Sequence, residues 1–388
     1  MLAQKLIRSE FIAYFGDNEL EYFFSPGRVN LIGEHIDYNG GYVLPASISL
    51  GVSAVVSRNS TDYIRIYSMD FKEELLISIH EFEYQSNLLK TDIHWSDYIK
   101  SMLQVLKDKG VVLKGAAILL GSDLPIGSGL SSSAAIECLI AYIFNSTFYN
   151  ENRKQLALDA QYAESHYVGV NCGIMDQFAV ANGKSNKAML LNCASLEFEY
   201  IDVNFKDYQL LIINSNKSRA LAESKYNERR KECDQAFSVL QKMDPAGNLC
   251  QVHEISLAML EDDVLYRRAK HVILENKRVQ YAVDALEHGN IEVFGQLLTD
   301  SHKSLDIDYE VSGEELNTIV HYSSHFEGCA GARMTGAGFG GCCIALVKKE
   351  SVDKLIPYVA KKYFEKTGLN ADFYHVDIVD GVNSIKFV

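Results

Sequence analysis

Residues 125–135 read PIGSGLSSSAA, and this stretch decides how the chain is understood. Upstream, residues 115–121 (GAAILLG) form an apolar run of strand length, and downstream residues 135–148 are apolar over helical length. A strand that turns through glycines into a helix start is suited to anions. Glycine lets the backbone approach a ligand with no Cβ in the way, and the N–H groups of the first helical turn have no partner of their own. Three serines add hydroxyls for phosphate oxygens, a metal or a cap. No Gly-Lys-Ser/Thr closes the loop, so it is not a Walker loop. Ser132 stands where a dinucleotide fingerprint needs its third glycine. Spacing alone leaves two readings open, an anion-binding loop and a Ser-capped helix after a tight turn.

Two further glycine-bearing segments stand apart in the chain. Residues 334–341, MTGAGFGG, satisfy GxGxxG through Gly336, Gly338 and Gly341, but an apolar strand, 342–347, follows where a dinucleotide fold needs a helix. The cluster signals close backbone approach, to a ligand or to a neighbouring element. Residues 25–45, SPGRVNLIGEHIDYNGGYVLP, set Arg28, Asn30, Glu34, His35, Asp37 and Asn39 on a turn between apolar runs. Carboxylates that accept from paired hydroxyls, with a guanidinium that donates, suit a sugar. A metal site is the weaker alternative, because no second His or Cys group stands at ligand spacing.

Around these segments strand-like and helix-like patterns alternate. Residues 21–25, 47–58 and 63–68 read as strands, and 6–14, 98–109 and 153–168 as helices. After strands at 188–192 and 208–214 come a long charged helix over 218–243, more helices to about 321, a strand at 341–348, a helix at 352–366 and a strand at 372–379. The chain has 388 residues, and single cores stop growing near ~250–300. Two domains are therefore expected, 1–200 and 201–388, the boundary falling near 195–207 by the strand and turn content there. Five prolines, no Ser/Gly linker and no internal repeat put the domains in close contact. The class is α+β or mixed α/β.

The formal charge is −14, from 37 Lys and Arg against 51 Asp and Glu, with no dense basic block. A nucleic-acid grip needs a basic face. Acidity does not bar a nucleotide substrate, but it leaves neutralisation to backbone amides, a metal or a few placed cations. The eight cysteines are scattered without a CxxC pair, as in a reducing compartment. No apolar run reaches the ~18 residues of a membrane span, and residues 1–23 lack the apolar stretch of a signal peptide. The expectation is a cytoplasmic protein with no nucleic-acid, membrane or obligate protein partner.

Taken together, the three segments resemble the signature motifs of the GHMP small-molecule kinases, in that family's order. Residues 27–41 closely resemble the galactokinase signature GRVNLIGEHTDYNGG, with Ile36 where Thr is usual. The resemblance extends over residues ~20–45, 120–135, 160–180, 210–230 and 330–347. It implies an α+β, two-domain fold with mixed and antiparallel sheets flanked by helices and the active site in the interdomain cleft. It implies ATP as co-substrate, Mg2+, and transfer of the γ-phosphoryl group to the anomeric C1 hydroxyl of α-D-galactose, a step of galactose catabolism by the Leloir pathway. By the same resemblance Pro125, Ile126, Gly127, Ser128, Gly129, Leu130, Ser131, Ser132, Ser133, Ala134 and Ala135 would wrap the triphosphate. Ser133 and Glu164 would hold Mg2+, and Asp176 and Arg28 would be the catalytic pair. Glu34, His35, Asp37, Gly173 and Tyr226 would hold the sugar, and Trp95 and Tyr98 would lie near the adenine.

Elementary chemistry agrees with this. Phosphoryl transfer asks for charge neutralisation and alignment more than for covalent help. A carboxylate near the attacking hydroxyl accepts its proton, and a guanidinium favours the developing alkoxide. Read singly, the residues are ordinary. Asp176 is one carboxylate among many, Trp95 a packing anchor, Arg229-Arg230-Lys231 a solvated helix face, and His321 with His325 a pair lacking a third ligand. Besides Ile36, the chain departs from the family at Ser218, where a basic residue is common, with Arg219 next to it. Two alternatives accompany this reading, a kinase for another sugar and a non-catalytic galactose/ATP sensor. Sensors derived from the family have a deletion after the serine run, whereas Ser133-Ala134-Ala135 is continuous here.

Overall fold

The computed structural model describes residues 4–86, 93–170, 172–217 and 222–386. Ser218, Arg219 and the start of the helix expected over 218–243 lie outside them. The strand Glu21–Asn30 is buried at every position after Glu21. It pairs antiparallel with Pro45–Arg58, with a register shift between Pro26 and Gly27, as a proline that cannot donate to the ladder requires. Pro45–Arg58 continues antiparallel onto Ala116–Ser122, which runs parallel to Tyr63–Ser68, itself paired with Glu73–Ser78. The helices Ser132–Glu151 and Met175–Asn182 pack on the strand Glu21–Asn30. A small sheet of Tyr42–Val43, Lys187–Asn192 and Phe198–Asp202 adjoins.

The second half builds an antiparallel sheet in the order Cys329–Thr335, Cys342–Lys348, Tyr208–Asn214, Asp372–His375. The helices Ile291–Ile307 and Glu314–Ser324 cover it. After Asp372–His375 the chain returns to the first sheet. Ile378 bridges to Ile48, and Asn383–Ile385 pairs antiparallel with Tyr22–Phe24. One apolar cluster runs from Val29 and Ile118 in the first sheet to Ile344 and Val347 in the second, so the halves share a core and need no linker.

Three differences from the sequence reading have physical reasons. The segment 153–168 is α-helical only to Tyr162, and Ala163–Val168 forms a π turn in which the N–H groups of Gly169 and Val170 both donate to the Glu164 carbonyl at 2.9 and 3.2 Å. Such turns often mark functional sites. The strands Glu73–Ser78 and Cys329–Thr335 lack a clean period, one being half exposed and the other carrying Gly331 and Arg333. Residues 229–231 are not wholly a solvated face, because Arg229 is buried and its Nη1 donates to Glu232 at 2.7 Å. Among the described residues no helix is long and apolar enough to cross a membrane.

Candidate active site

The three glycine-bearing segments meet. The Arg28 backbone N–H donates to the Leu130 carbonyl at 3.1 Å, and Arg28 Nη1 donates to the Gly129 carbonyl at 2.7 Å. The Asn30 N–H donates to Thr335 Oγ1 at 3.1 Å, and the Gly336 N–H donates to Glu34 Oε1 at 2.7 Å. A cavity of about 350 Å³ opens where they converge, lined by Arg28, Glu34, Asp37, Gly173, Asp176 and Tyr226 among others. A second cavity of about 270 Å³ lies beside Phe71, Trp95 and Ser132. Tyr98 and Ser133 line both, so the two adjoin.

Arg28 and Asp176 form a two-point ion pair. Arg28 Nε donates to Oδ1 at 2.9 Å and Nη2 to Oδ2 at 2.8 Å. The strand Glu21–Asn30 supplies the guanidinium and the first turn of Met175–Asn182 supplies the carboxylate. Parallel bonds of this kind fix both planes. Asp176 keeps 30% of its side chain exposed, so it still faces the cavity.

The sugar-side residues are buried beneath. Glu34 accepts from Asn30 Nδ2, Thr335 Oγ1 and the Gly336 N–H. Burial raises its pKa against the pull of Arg333 and Arg28. Burial, with Asp176 nearby, pushes Asp37 up to about 7. Asp37 Oδ2 lies so close to Gly173 that a Cβ there would sit 1.8 Å from it, so any side chain at 173 would displace the Asp37 carboxylate. Burial lowers His35 to about 3, which makes its ring neutral. Nε2–H therefore donates to the Ala337 carbonyl at 3.1 Å, and Nδ1 accepts from the Tyr38 hydroxyl at 2.9 Å. Tyr38 in turn accepts from Tyr309 (2.8 Å), and Tyr309 from the Cys233 thiol (3.0 Å). Both ring nitrogens of His35 thus serve the protein. Tyr226 stands against this cluster, 5.6 Å from the His35 ring and 5.1 Å from Tyr38.

The sequence reading missed the residues of the second half that grip the loop 30–36. Arg333 Nη1 donates to the carbonyls of Asn30 and Leu31 at 3.2 and 3.0 Å. Glu275 Oε1 accepts from the Gly33 N–H (3.0 Å) and from Ser301 Oγ (2.6 Å), and His271 Nε2 donates to the Glu34 carbonyl at 3.1 Å. All three side chains are buried. Burial alone would raise the pKa of Glu275, but Arg278, His271, Arg333 and Ser301 hold it down at about 2. A signal was available. Arg268, His271 and Glu275 fall at helical spacing among the buried Ala269, Val272 and Val279 of the helix Asp263–Glu287, so charges recur on its apolar stripe.

The nucleotide-side residues are arranged differently. Ile126, Gly127 and Ser132 are exposed, Pro125, Gly129 and Ser133 partly so, and Ser128, Leu130, Ala134 and Ala135 buried. Leu130, Ala134 and Ala135 line neither cavity, and the Leu130 carbonyl and the Ala135 N–H are already bonded to Arg28 and Ser131. Ser131 is the N-cap residue, yet its side chain makes no capping bond. Trp95 is buried, stacks on Phe71 at 5.8 Å between centroids and 4° between planes, and donates Nε1–H to Glu73 at 3.0 Å. The π turn carries Glu164, whose carboxylate accepts from Gln177 Nε2. Burial raises Glu164 to about 6 despite a hydrogen bond from Ser133. Among the described residues no group of three or more His, Cys, Asp or Glu is placed to hold a metal ion. A hard cation that keeps waters and phosphate oxygens needs only one or two carboxylates, and the under-neutralised Glu164 beside Ser133 fits that donor set.

Comparison with known proteins adds an independent observation. Residues 9–58 match the family model for the galactokinase galactose-binding signature, 97–184 that of the GHMP kinases N terminal domain, and 282–366 that of the GHMP kinases C terminal domain. A galactokinase of Clostridium perfringens is 44% identical over 381 residues, covering 97% of this chain and 98% of that one. The chain belongs to the galactokinase family. A galactokinase of Bacillus subtilis is 42% identical over 98% of each chain. The crystal structure of Lactococcus lactis galactokinase complexed with galactose superposes with a TM-score of 0.91 at 40% identity, covering 98% of this chain and 99% of that one. Methanococcus jannaschii mevalonate kinase, at 21% identity and a TM-score of 0.68, shares the fold. The architecture is that of the two-domain GHMP kinases, as expected, and this galactokinase-family member is an enzyme of the kinase class.

Proposed function

We propose that this chain transfers the γ-phosphoryl group of ATP to the C1 hydroxyl of α-D-galactose, giving galactose 1-phosphate and ADP in galactose catabolism. The observation that carries the reading is the Arg28–Asp176 pair, set in the wall of the sugar-side cavity that Ser133 and Tyr98 share with the cavity beside Trp95. A hexose seated against Glu34, Asp37, Gly173 and Tyr226 presents a hydroxyl to Asp176. The hydroxyl oxygen bonds to the γ-phosphorus as the bridging β–γ P–O bond breaks. The proton passes to the Asp176 carboxylate, and Arg28 steadies the alkoxide as it forms. His35 acts as a packed wall of the sugar site. The loop from Pro125 to Ala135 receives the triphosphate, with its backbone amides at the helix start, and Trp95 and Tyr98 flank the base.

Ser133 and Glu164 would hold Mg2+, which when bound neutralises phosphate charge. Residues 1–200 then form the domain that carries both loops, and 201–388 the domain that closes the cleft, with the final strand returned to the first sheet. None of the eight cysteines forms a disulfide, which suits a reducing compartment such as the cytoplasm. Relatives named galactokinase match over nearly the whole length, which does not favour a sensor or a kinase for another sugar. The test is ADP release with Mg2+ and ATP against galactose, glucose, arabinose and N-acetylgalactosamine. Galactose should be the best substrate, and preference for another sugar, or ligand-dependent thermal shifts with no ADP release, would overturn the reading.

A further inference from the structure

Ser131 lies in the serine run, but its hydroxyl is turned away from the loop. The backbone at Ser131 has φ 67° and ψ 46°, the left-handed region that L side chains rarely adopt. Its carbonyl still accepts the first helical bond, from the Ala135 N–H at 3.0 Å, while its Oγ makes no cap bond and donates instead to Asp176 Oδ2 at 2.5 Å. The side chain is buried. The neighbouring Ser132 is exposed and Ser133 lines both cavities, so the three serines are not equivalent.

We propose that Ser131 is a positioning residue for Asp176, tying the glycine loop to the carboxylate that faces the sugar. An ionised carboxylate offers roughly four acceptor sites. Arg28 Nε and Nη2 take two, and Ser131 Oγ takes a third. One remains, and the three bonds fix its direction, so the attacking hydroxyl meets a single oriented lone pair. The unusual backbone keeps Oγ there, and the arrangement belongs to the element that opens the helix Ser132–Glu151. Seating of the triphosphate and aim of the carboxylate are thereby linked through one residue.

This inference rests on the role of Asp176 given under the proposed function. The experiment compares Ser131→Gly and Ser131→Ala with the parent protein. Both remove the hydroxyl, but glycine adopts φ 67° freely and alanine does not. Measured are kcat at saturating galactose and ATP, the KM for ATP, and the melting temperature. We expect both variants to lose kcat by about 10- to 100-fold to a similar extent, with the KM for ATP within about twofold and Ser131→Gly melting above Ser131→Ala. Retained kcat in both variants would overturn the inference. So would a loss confined to the KM for ATP, since the hydroxyl would then serve the phosphates, or a kcat loss in Ser131→Ala alone, since the backbone geometry and not the hydroxyl would then be what matters. A parent protein that forms no ADP with galactose would instead overturn the proposed function.

Discussion

The two sides of the cavity are built in opposite ways. On the sugar side, the loop 30–36 is buried and bonded by two elements, to Arg333, Thr335 and Gly336 at the end of the strand Cys329–Thr335 and to Glu275 and His271 of the helix Asp263–Glu287. On the nucleotide side the tip at Ile126 and Gly127 is exposed, and a Cβ on Gly127 would meet nothing within 4 Å. The first surface is formed before its ligand arrives, whereas the second keeps its backbone for the ligand to organise. A neutral hexose gives little charge with which to order a site, so the protein orders it. A triphosphate brings enough charge to order a glycine loop around itself. Arg28, Asp176 and Ser131 stand at the seam.

The comparison is sharpened most by the seam itself. Asp176→Ala should lower kcat by about 10³-fold while the protein still melts cooperatively and galactose still raises its melting temperature. Substantial remaining turnover would remove Asp176 from the chemistry. Next comes the clamp on the sugar loop. Glu275→Ala leaves Arg278 and the Gly33 N–H without their buried partner, and chemical denaturation should show a loss of about 3–5 kcal/mol. A loss below 1 kcal/mol, on the scale of a surface pair, would mean that this clamp does not hold the loop.

Acid should act through the same clamp. Burial lowers His271 to about 4, so its folded form is neutral and the unfolded chain takes the proton first. Its contribution is complete above the unfolded pKa near 6.5 and is lost as pH falls toward 4, up to about 3 kcal/mol. Relative to the parent, His271→Gln should therefore gain stability by that order between pH 7 and pH 4. A pH-independent difference would show that His271 titrates normally.

The smallest effects contrast two glycines. Gly173→Ala drives a methyl into Asp37, and the KM for galactose should rise about 10- to 100-fold with that for ATP little changed. Gly127→Ala meets no atom, only the strain of φ 69°, about 1 kcal/mol, and its effect should fall on ATP rather than galactose. Equal effects of both variants on both substrates would erase the distinction between the two sides.

This asymmetry also explains what the sequence made legible. The glycine loops and the run from Arg28 to Asp37 are continuous, and local rules suffice to read them. The clamp is assembled from Glu275, His271 and Arg333, far from the loop in the chain. Charges on the apolar stripe of the helix Asp263–Glu287 mark His271 and Glu275 as unusual, but only the fold shows that they, with Arg333 from a strand, meet the loop. Hydrogen-bond direction was equally out of reach. Nothing in three successive serines tells which one turns toward Asp176, and nothing in AESHYV announces a π turn. The final strand, NSI, is too short to show a period, and only its pairing with Tyr22–Phe24 reveals it.

That short strand has a consequence for biosynthesis. On the ribosome, the edge of the ladder at residues 22–24 stays bare until residues 383–385 emerge, and an uncovered β-edge is a template for other nascent copies. Trimming the tail, or fusing a rigid partner to it, should therefore show first as aggregates during expression, before any fault in the molecules that do mature.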